Sequence, residues 1–332
     1  MNQMTTIRTD SELVPWSEED CRQFGRRFQN SPHRLGETGL FTDQALAALI
    51  DAYPRHLLQA FVVGLDPTRM EENIPVDTSG VSGADALEAV KRGRLWFKLL
   101  RIHEWTGPYA EVVDQLYAEM SAKCPHFEPL SKGAILFFGS TQSQVYFHVD
   151  AKPNMLWHIR GRKRFWVYPL QSGIVSQKSL EDVYTMVTDE DVYFEESFDD
   201  HASVYDLEPG DVLSWPQNSP HRVVVTEGMS VSLGTLHETA ASDRRASVIC
   251  ANSVLRNRLG LRNLSVAERG ALPWAKSFMY RAMRRSGLLR PSARKSYKTS
   301  YILDPEGARG VRELPEPVLT EFAKGPQPGR TA

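Results

Sequence analysis

The spacing of apolar positions changes character along the chain. Up to about residue 130 helical and strand periods alternate. Ser17 followed by Asp20 reads as a helix N-cap leading into residues 18–28. Thr42 starts a second helix over 43–53, which Pro54 ends, and Ser82 starts a third that stops at Gly93. Strands are predicted at 59–63 and 95–99, and the Pro-, Gly-, Asp- and Ser-rich residues 66–82 predict a loop. Residues 109–122 form an amphipathic helix with Val112, Val113, Leu116, Tyr117 and Met120 on its apolar side.

From Gly133 the period shortens to that of strands, predicted over 133–138, 143–149, 154–159, 163–168, 211–215, 221–226 and 229–235. Gly161 and Pro209-Gly210 mark turns. Many short strands with tight turns predict a mainly β protein with flanking helices (α+β) around a double-sheet jelly roll, the double-stranded β-helix. Residues 171–206 interrupt this series. They are acidic but include Val183, Tyr184, Met186, Val192, Tyr193 and Phe194, which predicts an ordered excursion. After Thr239 helices are predicted near 242–257 and 266–286, with a frayed Pro- and Gly-rich end over the last twenty residues. The chain thus divides into a mixed region over 1–130, a β core over 131–240 and a basic helical region over 241–332.

Composition narrows the class. At 332 residues and 41% hydrophobic content the chain supports a sizeable core. It has no apolar run long enough for a transmembrane helix, and Met1 to Thr6 carry no secretory h-region. Cys21, Cys124 and Cys250 are far apart and form no CxxC, so we expect three reduced thiols in a cytoplasmic protein and no cysteine-type zinc site. The net charge of −2 hides an asymmetry. Residues 251–300 carry twelve Lys and Arg against Glu268 alone, whereas residues 181–200 carry nine acids and no Lys or Arg. Such asymmetry either marks an acidic partner or reflects docking of the basic part on the acidic part, within one chain or across a dimer; docking is the expectation. The basic segment has no helix-turn-helix, zinc-finger or RNA-recognition signature, so nucleic acid is not an expected partner.

The candidate chemistry centres on His148-Val149-Asp150. Residues i and i+2 of a strand share a face, so His148 and Asp150 can reach one ion together. With His221 from a distant strand they complete two imidazoles and one carboxylate, the usual cage of non-haem Fe(II) that activates O2. A lone HxD arises by chance in many strands, and Lys163 alone reads as a solvated hairpin lysine. Among the other histidines, His33, His56, His126 and His201 are expected in solvent. His103 lies just beyond a strand, and His237 is expected at the barrel rim. His158 shares strand parity with Asn154 and Leu156; it either faces the pocket or is a hydrogen-bonded barrel histidine. Trp157, Trp166 and Trp215 are read as core, and Arg160, Arg162 and Arg164 as a solvated hairpin.

Taken together, His148-x-Asp150, Asn154, the run Gly161 to Pro169 with Lys163, Gly210-Asp-Val-Leu213, Pro216 and His221 resemble the JmjC/cupin-like Fe(II)- and 2-oxoglutarate-dependent oxygenases. The likeness is to the asparaginyl-hydroxylase-like branch and to compact bacterial cupin-like members, and covers roughly residues 130–237. It implies Fe(II), 2-oxoglutarate as co-substrate and O2. It implies His148, Asp150 and His221 as metal ligands and catalytic centre, Lys163 on the far carboxylate of 2-oxoglutarate, and Asn154 facing the co-substrate. Leu156, Phe165 and Val223 would keep that site dry. One departure is Val145, where the branch often has a hydroxyl residue. Tyr146, Ser232 and Thr141 are candidates to supply it, and the sequence does not choose among them. The implied activity is hydroxylation of a protein side chain or a small metabolite. The alternative is a non-catalytic cupin-like binding or regulatory module, which would be expected to have lost a ligand or the lysine. The resemblance also implies a homodimer through the C-terminal helices.

Overall fold

Three predicted caps hold. In the computed structural model, which describes residues 11–286 and 296–321 except 67, 70, 71, 106, 172 and 189–191, Ser17 and Asp20 form a reciprocal capping box at α1 (Glu18–Gln23). Thr42 caps α2 (Asp43–Ala52) and Ser82 caps α3 (Gly83–Arg92). α1 is shorter than predicted because the chain turns away through Gly25 at φ 69°. α4 (Pro108–Lys123) buries Val112, Val113, Leu116, Tyr117 and Met120, the predicted face.

Strands β1 (Gln29–Pro32), β2 (Leu58–Val62), β3 (Ile74–Asp77) and β4 (Leu95–Leu100) lie among these helices. The core strands are β5 (Ser131–Gly139), β6 (Gln144–His148), β7 (Asn154–Val167), β8 (Ser203–Leu207), β9 (Asp211–Ser214) and β10 (His221–Glu238). The long strands β7 and β10 pair antiparallel almost end to end, and they pass from one layer to the other. Residues 230–238 of β10 pair with β5, and 231–236 with β7 residues 154–160. From there the larger layer continues through β4, β2 and β3 on one side and β9 and β1 on the other. Residues 221–225 of β10 pair instead with β6 and with β7 residues 163–167, and β8 closes this smaller layer. The result is the predicted double-stranded β-helix.

The sequence predicts four strands where the chain makes two. Residues 154–159 and 163–168 belong to one strand, and 221–226 and 229–235 to another. The predicted breaks are instead a corner, where the register shifts between Val225 and Ser232. Gly161 (φ 75°) and Gly228 (φ 68°) face each other there. A Cβ on Gly161 would lie 2.8 Å from the Met229 carbonyl oxygen. Bulges and glycines let paired strands turn sharply without losing their partner.

Three apolar zones follow from the two layers. The N-terminal helices pack on the outer face of the larger layer, against Phe97, Leu136, Phe138, Trp157 and Leu233. The outer face of the smaller layer, Phe147, Val149 and Tyr168, is covered by the acidic excursion through Leu180, Tyr184, Phe194 and Phe198. Its helix is α5 (Gln177–Tyr184), and Ile249 and Cys250 of α6 (Ala240–Leu259) join the same cluster. Leu156, Phe165, Leu213, Trp215 and Val223 line the interior. Trp157 and Trp215 are core, as predicted, while Trp166 is half-buried with the Arg222 guanidinium 3.6 Å over its ring.

Several expectations are corrected. Cys21 and Cys124 are joined in a disulfide rather than being free thiols, with Cα atoms 4.9 Å apart. They lie 103 residues apart in sequence, and contact arises only because α1 packs on the end of α4 through Phe24 and Phe127, whose rings are 5.2 Å apart. Cys250 is free and buried. The predicted loop 66–82 contains β3, and the end of the excursion contains β8. After α7 (Ala271–Arg285) come β11 (Ser296–Leu303) and β12 (Val311–Glu321), an antiparallel pair that joins the larger layer beside β3. Residues 313–321 are therefore strand rather than frayed; the remainder of the predicted frayed end lies outside the described residues. Within the basic segment Arg256 pairs with the fully buried Glu181 of α5 at 2.8 Å, so part of the predicted docking occurs inside one chain. Arg290, Arg294 and Lys295 lie outside the described residues. Arg162 and Arg164 are exposed, as the solvated hairpin predicts, and pair at the surface with Glu208 and Asp206; Arg160 is half-buried and pairs with Asp43. No described helix is long and apolar enough to cross a membrane.

Gly161→Ala should lower stability by at least about 1–2 kcal/mol, the cost of a side chain in the left-handed region, with the contact to Met229 added. Thermal melts of the variant and its parent check this, and an unchanged melting temperature would contradict the corner's role.

Candidate metal centre

The strand register brings the predicted ligands together. β6 ends at His148, which pairs with His221 at the start of β10. Asp150 follows two residues later, half-buried. His148, Asp150 and His221 each offer one ligand atom, and these atoms lie within 4.8 Å of one another. His221 Nε2 is 3.1 Å from an Asp150 carboxylate oxygen, and the two imidazole centroids are 4.1 Å apart.

The outer nitrogens are committed. His148 Nδ1 lies 2.8 Å from the Tyr146 carbonyl and His221 Nδ1 lies 3.1 Å from the Ser219 carbonyl. A carbonyl only accepts, so each Nδ1 points a proton at its carbonyl, which leaves Nε2 as the ring atom free to act as a ligand. Such an oriented tautomer is what a metal ligand requires. Burial, with His221 beside it, pushes the His148 pKa down to about 4, so the ring is neutral at physiological pH. Burial alone would push Asp150 up, but His221, His148 and Asn154 together hold its carboxyl well below the usual range. His221 Nε2 thus faces an anionic oxygen of Asp150 at 3.1 Å, and a proton or a metal cation between them satisfies both. The donor set fits a divalent metal of intermediate hardness such as iron.

Asn154 stands at the start of β7 and donates to the Asp150 carboxylate. Its Oδ1 is buried without a hydrogen bond. Trp215 and Phe165 close the site from the interior, with ring centroids 4.6 and 5.4 Å from that of His221.

Lys163 lies further along the same interior. It pairs with Val225, four residues beyond His221, and the Phe165 and Val223 side chains separate the two sites. It is 1% exposed. Its Nζ donates to Ser232 Oγ at 2.8 Å and stands 5.7 Å over the Trp96 ring. No carboxylate pairs with it among the described residues, and burial lowers its pKa to about 7. Ser232 in turn meets His158 Nδ1 at 3.0 Å, and His158 Nε2 donates to the Gly161 carbonyl at 2.8 Å. Burial and the nearby lysine hold His158 down to about 3. Of the two readings for His158, it is hydrogen-bonded and also sits behind the pocket serine.

The other candidates scatter. Of the three hydroxyls considered for the missing one, Ser232 touches Lys163, Thr141 is exposed and bonds to the Gly228 carbonyl, and Tyr146 is half-buried with its ring 5.6 Å from His148. Val145 packs in the interior. His33 is buried rather than solvated: Nε2 donates to the His158 carbonyl at 2.9 Å. His237 is buried rather than at an open rim, 4.9 Å edge-on to Phe127. His103 accepts from the Ala134 backbone, and His56, His126 and His201 are exposed. Sequence reasoning passed over Asn218, Tyr184 and Arg245, which meet behind Asp150. Asn218 sits three residues before a candidate ligand in a Pro-flanked turn, but nothing in the sequence ties Tyr184 to it.

The family comparison agrees with the barrel fold. Residues 103–242 match the family model described as a cupin-like domain. No curated protein matches the chain. Among solved structures, the ribosomal oxygenase YcfD of Escherichia coli is similar at 13% identity and a TM-score of 0.42, over 85% of this chain and 69% of that one. The same protein in complex with cobalt and 2-oxoglutarate gives 14%, 0.41, 85% and 69%. The DMSP lyase DddQ of Ruegeria pomeroyi gives 13% and 0.22, over 33% of this chain and 40% of that one. Residues 103–242 are therefore similar to a cupin-like domain.

Proposed function

We propose that this protein is an Fe(II)- and 2-oxoglutarate-dependent oxygenase that hydroxylates a C–H bond of a protein side chain or a small metabolite. One observation carries the reading: a three-donor metal set and a buried lysine with no counter-charge among the described residues face the same apolar interior. Fe(II), when bound, would supply O2 activation coupled to decarboxylation of the co-substrate.

The residues divide the work. His148, Asp150 and His221 would hold the ion on one side and leave its other side open. Lys163, steadied by Ser232, offers a charge-assisted bond to the far carboxylate of a dicarboxylate. Asn154 holds the Asp150 carboxylate and keeps one acceptor free toward the interior. Leu156, Phe165, Trp215 and Val223 exclude water, which strengthens every charge interaction inside. A non-catalytic module would have no use for a buried lysine awaiting an anion. Dimerisation through the C-terminal helices stays part of this proposal, supported by the exposed Trp274 (62%) and Phe278 (76%) of α7. Light scattering on the purified protein tests it, and a strict monomer would remove it.

Anaerobic titration of the Fe(II)-loaded protein with 2-oxoglutarate should produce a weak visible charge-transfer band. His148→Ala and Asp150→Ala should abolish both the band and iron retention. Iron binding without a band in the parent protein would favour the non-catalytic module. Lys163→Ala should weaken 2-oxoglutarate binding by about 2–5 kcal/mol, the usual range for truncating a buried charge partner; unchanged affinity would refute the pocket assignment.

A pH dependence follows with a definite sign. Free Lys163 titrates near 7, and a bound carboxylate returns it toward its ordinary value. Below that pH the ammonium is already charged and affinity is flat. Above it, binding takes up a proton, so affinity should fall by about tenfold per pH unit. Without ligand, the depressed pKa means that stability rises with pH from about 7 toward the unfolded value of about 10.4. Calorimetry at pH 8.5 in buffers of different ionisation enthalpy should show proton uptake that Lys163→Ala lacks.

A further inference from the structure

Asp150 is held from behind as well as by its carboxylate contacts. Asn218 is 1% exposed, in the turn that leads into His221. Its Nδ2 donates to the Asp150 carbonyl at 2.8 Å and to the Tyr184 hydroxyl at 2.9 Å. Its Oδ1 accepts from Arg245 Nε at 2.9 Å. Tyr184 uses its one proton on the Ala151 carbonyl at 2.6 Å, and Gln217 Nε2 reaches both that carbonyl, at 3.1 Å, and the Tyr184 oxygen, at 2.9 Å.

The two ends of the Asn218 amide are told apart by their partners. A carbonyl only accepts and a guanidinium only donates, so Asp150 and Arg245 together fix which end of the Asn218 amide points where. The backbone at Asn218 is left-handed, φ 67°, which asparagine and aspartate tolerate and most residues do not. The six side chains and carbonyls come from four parts of the chain: the segment after β6, the turn before β10, α5 of the acidic excursion, and α6. One buried amide therefore ties the backbone of one candidate ligand, Asp150, to the turn that carries another, His221. The excursion and α6 meet the same amide.

We infer that Asn218, backed by Tyr184 and Arg245, is a positioning residue that sets the spacing of Asp150 and His221, so that α5 and α6 are structural parts of the metal site. This rests on the metal reading above. Partners that orient metal ligands commonly change affinity by about 10–100-fold when they are removed.

The test uses Co(II) as a spectroscopic probe with the full-length protein. Asn218→Asp keeps size, backbone preference and the Arg245 contact, but turns an oxygen toward the Asp150 carbonyl. It should weaken Co(II) binding by about tenfold or more and alter the ligand-field absorption of the bound ion. Tyr184→Phe removes the bond to the Ala151 carbonyl at nearly constant volume. It should shift affinity and spectrum in the same direction, less strongly, and serves alone if Asn218→Asp does not fold by circular dichroism. Folded variants with the parental Co(II) affinity and spectrum would overturn the inference. A loss of melting temperature without a change in spectrum would do so as well, because it would mark a purely structural role. A parent protein that binds no Co(II) would instead sink the metal reading.

Discussion

The antiparallel pairing of β7 with β10 is the constraint on which the rest of the structure depends. Because these two strands cross from one layer to the other, a single register sets both ends of the interior. It places His221 beside His148 through β6, Lys163 beside Val225, and Ser232 beside His158. A slip of one residue would turn every one of these side chains to the outer face. The corner at Gly161 and Gly228 lets one pair of strands serve two layers, so the metal set and the lysine pocket cannot drift apart independently.

The interior so formed is electrostatically unfinished. A buried lysine whose Nζ meets a serine and the Trp96 ring is costly in an apolar barrel, and so is a buried carboxylate beside two imidazoles. The chain contains the means to neutralise such charges elsewhere, as Glu181 with Arg256 shows. Lys163 has no such partner among the described residues. Its neighbours are aromatic or apolar, and the hydrogen bonds of Ser232, His158 and His33 rigidify its surroundings without offering an anion. Under the proposed function, an anionic ligand would offset this cost.

Both layers need covering, and different parts of the chain do it. The N-terminal helices cover the larger layer, and the acidic excursion with α6 covers the smaller one. The second cover lies directly behind the ligand-bearing segments. The acidic excursion and α6 are held together there by the ion pair of Arg256 with the buried Glu181, and Ile249 and Cys250 of α6 pack with the excursion's apolar residues.

Much of this was legible locally. The helix caps at Ser17, Thr42 and Ser82 and the buried face of α4 depend on residues within a few positions of one another. So do the period-two strands and the shared face of His148 and Asp150, and sequence displays such relations directly. What it misread depends on contact between distant segments. Gly161 looks like a turn but is a bend, because only the partner strand shows that pairing continues through it. β12 contains Pro315 and Pro317 and lacks a strand's usual pattern, yet β11 beside it makes it a strand. Cys21 meets Cys124 only through helix packing, and His33 is buried only because the β1 side of the barrel folds over it. The three hydroxyls that the sequence left open were separated by register alone, which put Ser232 on Lys163. Backbone preference and side-chain parity are short-range properties that sequence determines by itself. Burial, charge pairing and the meeting of Asn218, Tyr184 and Arg245 behind Asp150 are decided by tertiary structure, because desolvation and hydrogen-bond geometry exist only once remote segments are in contact.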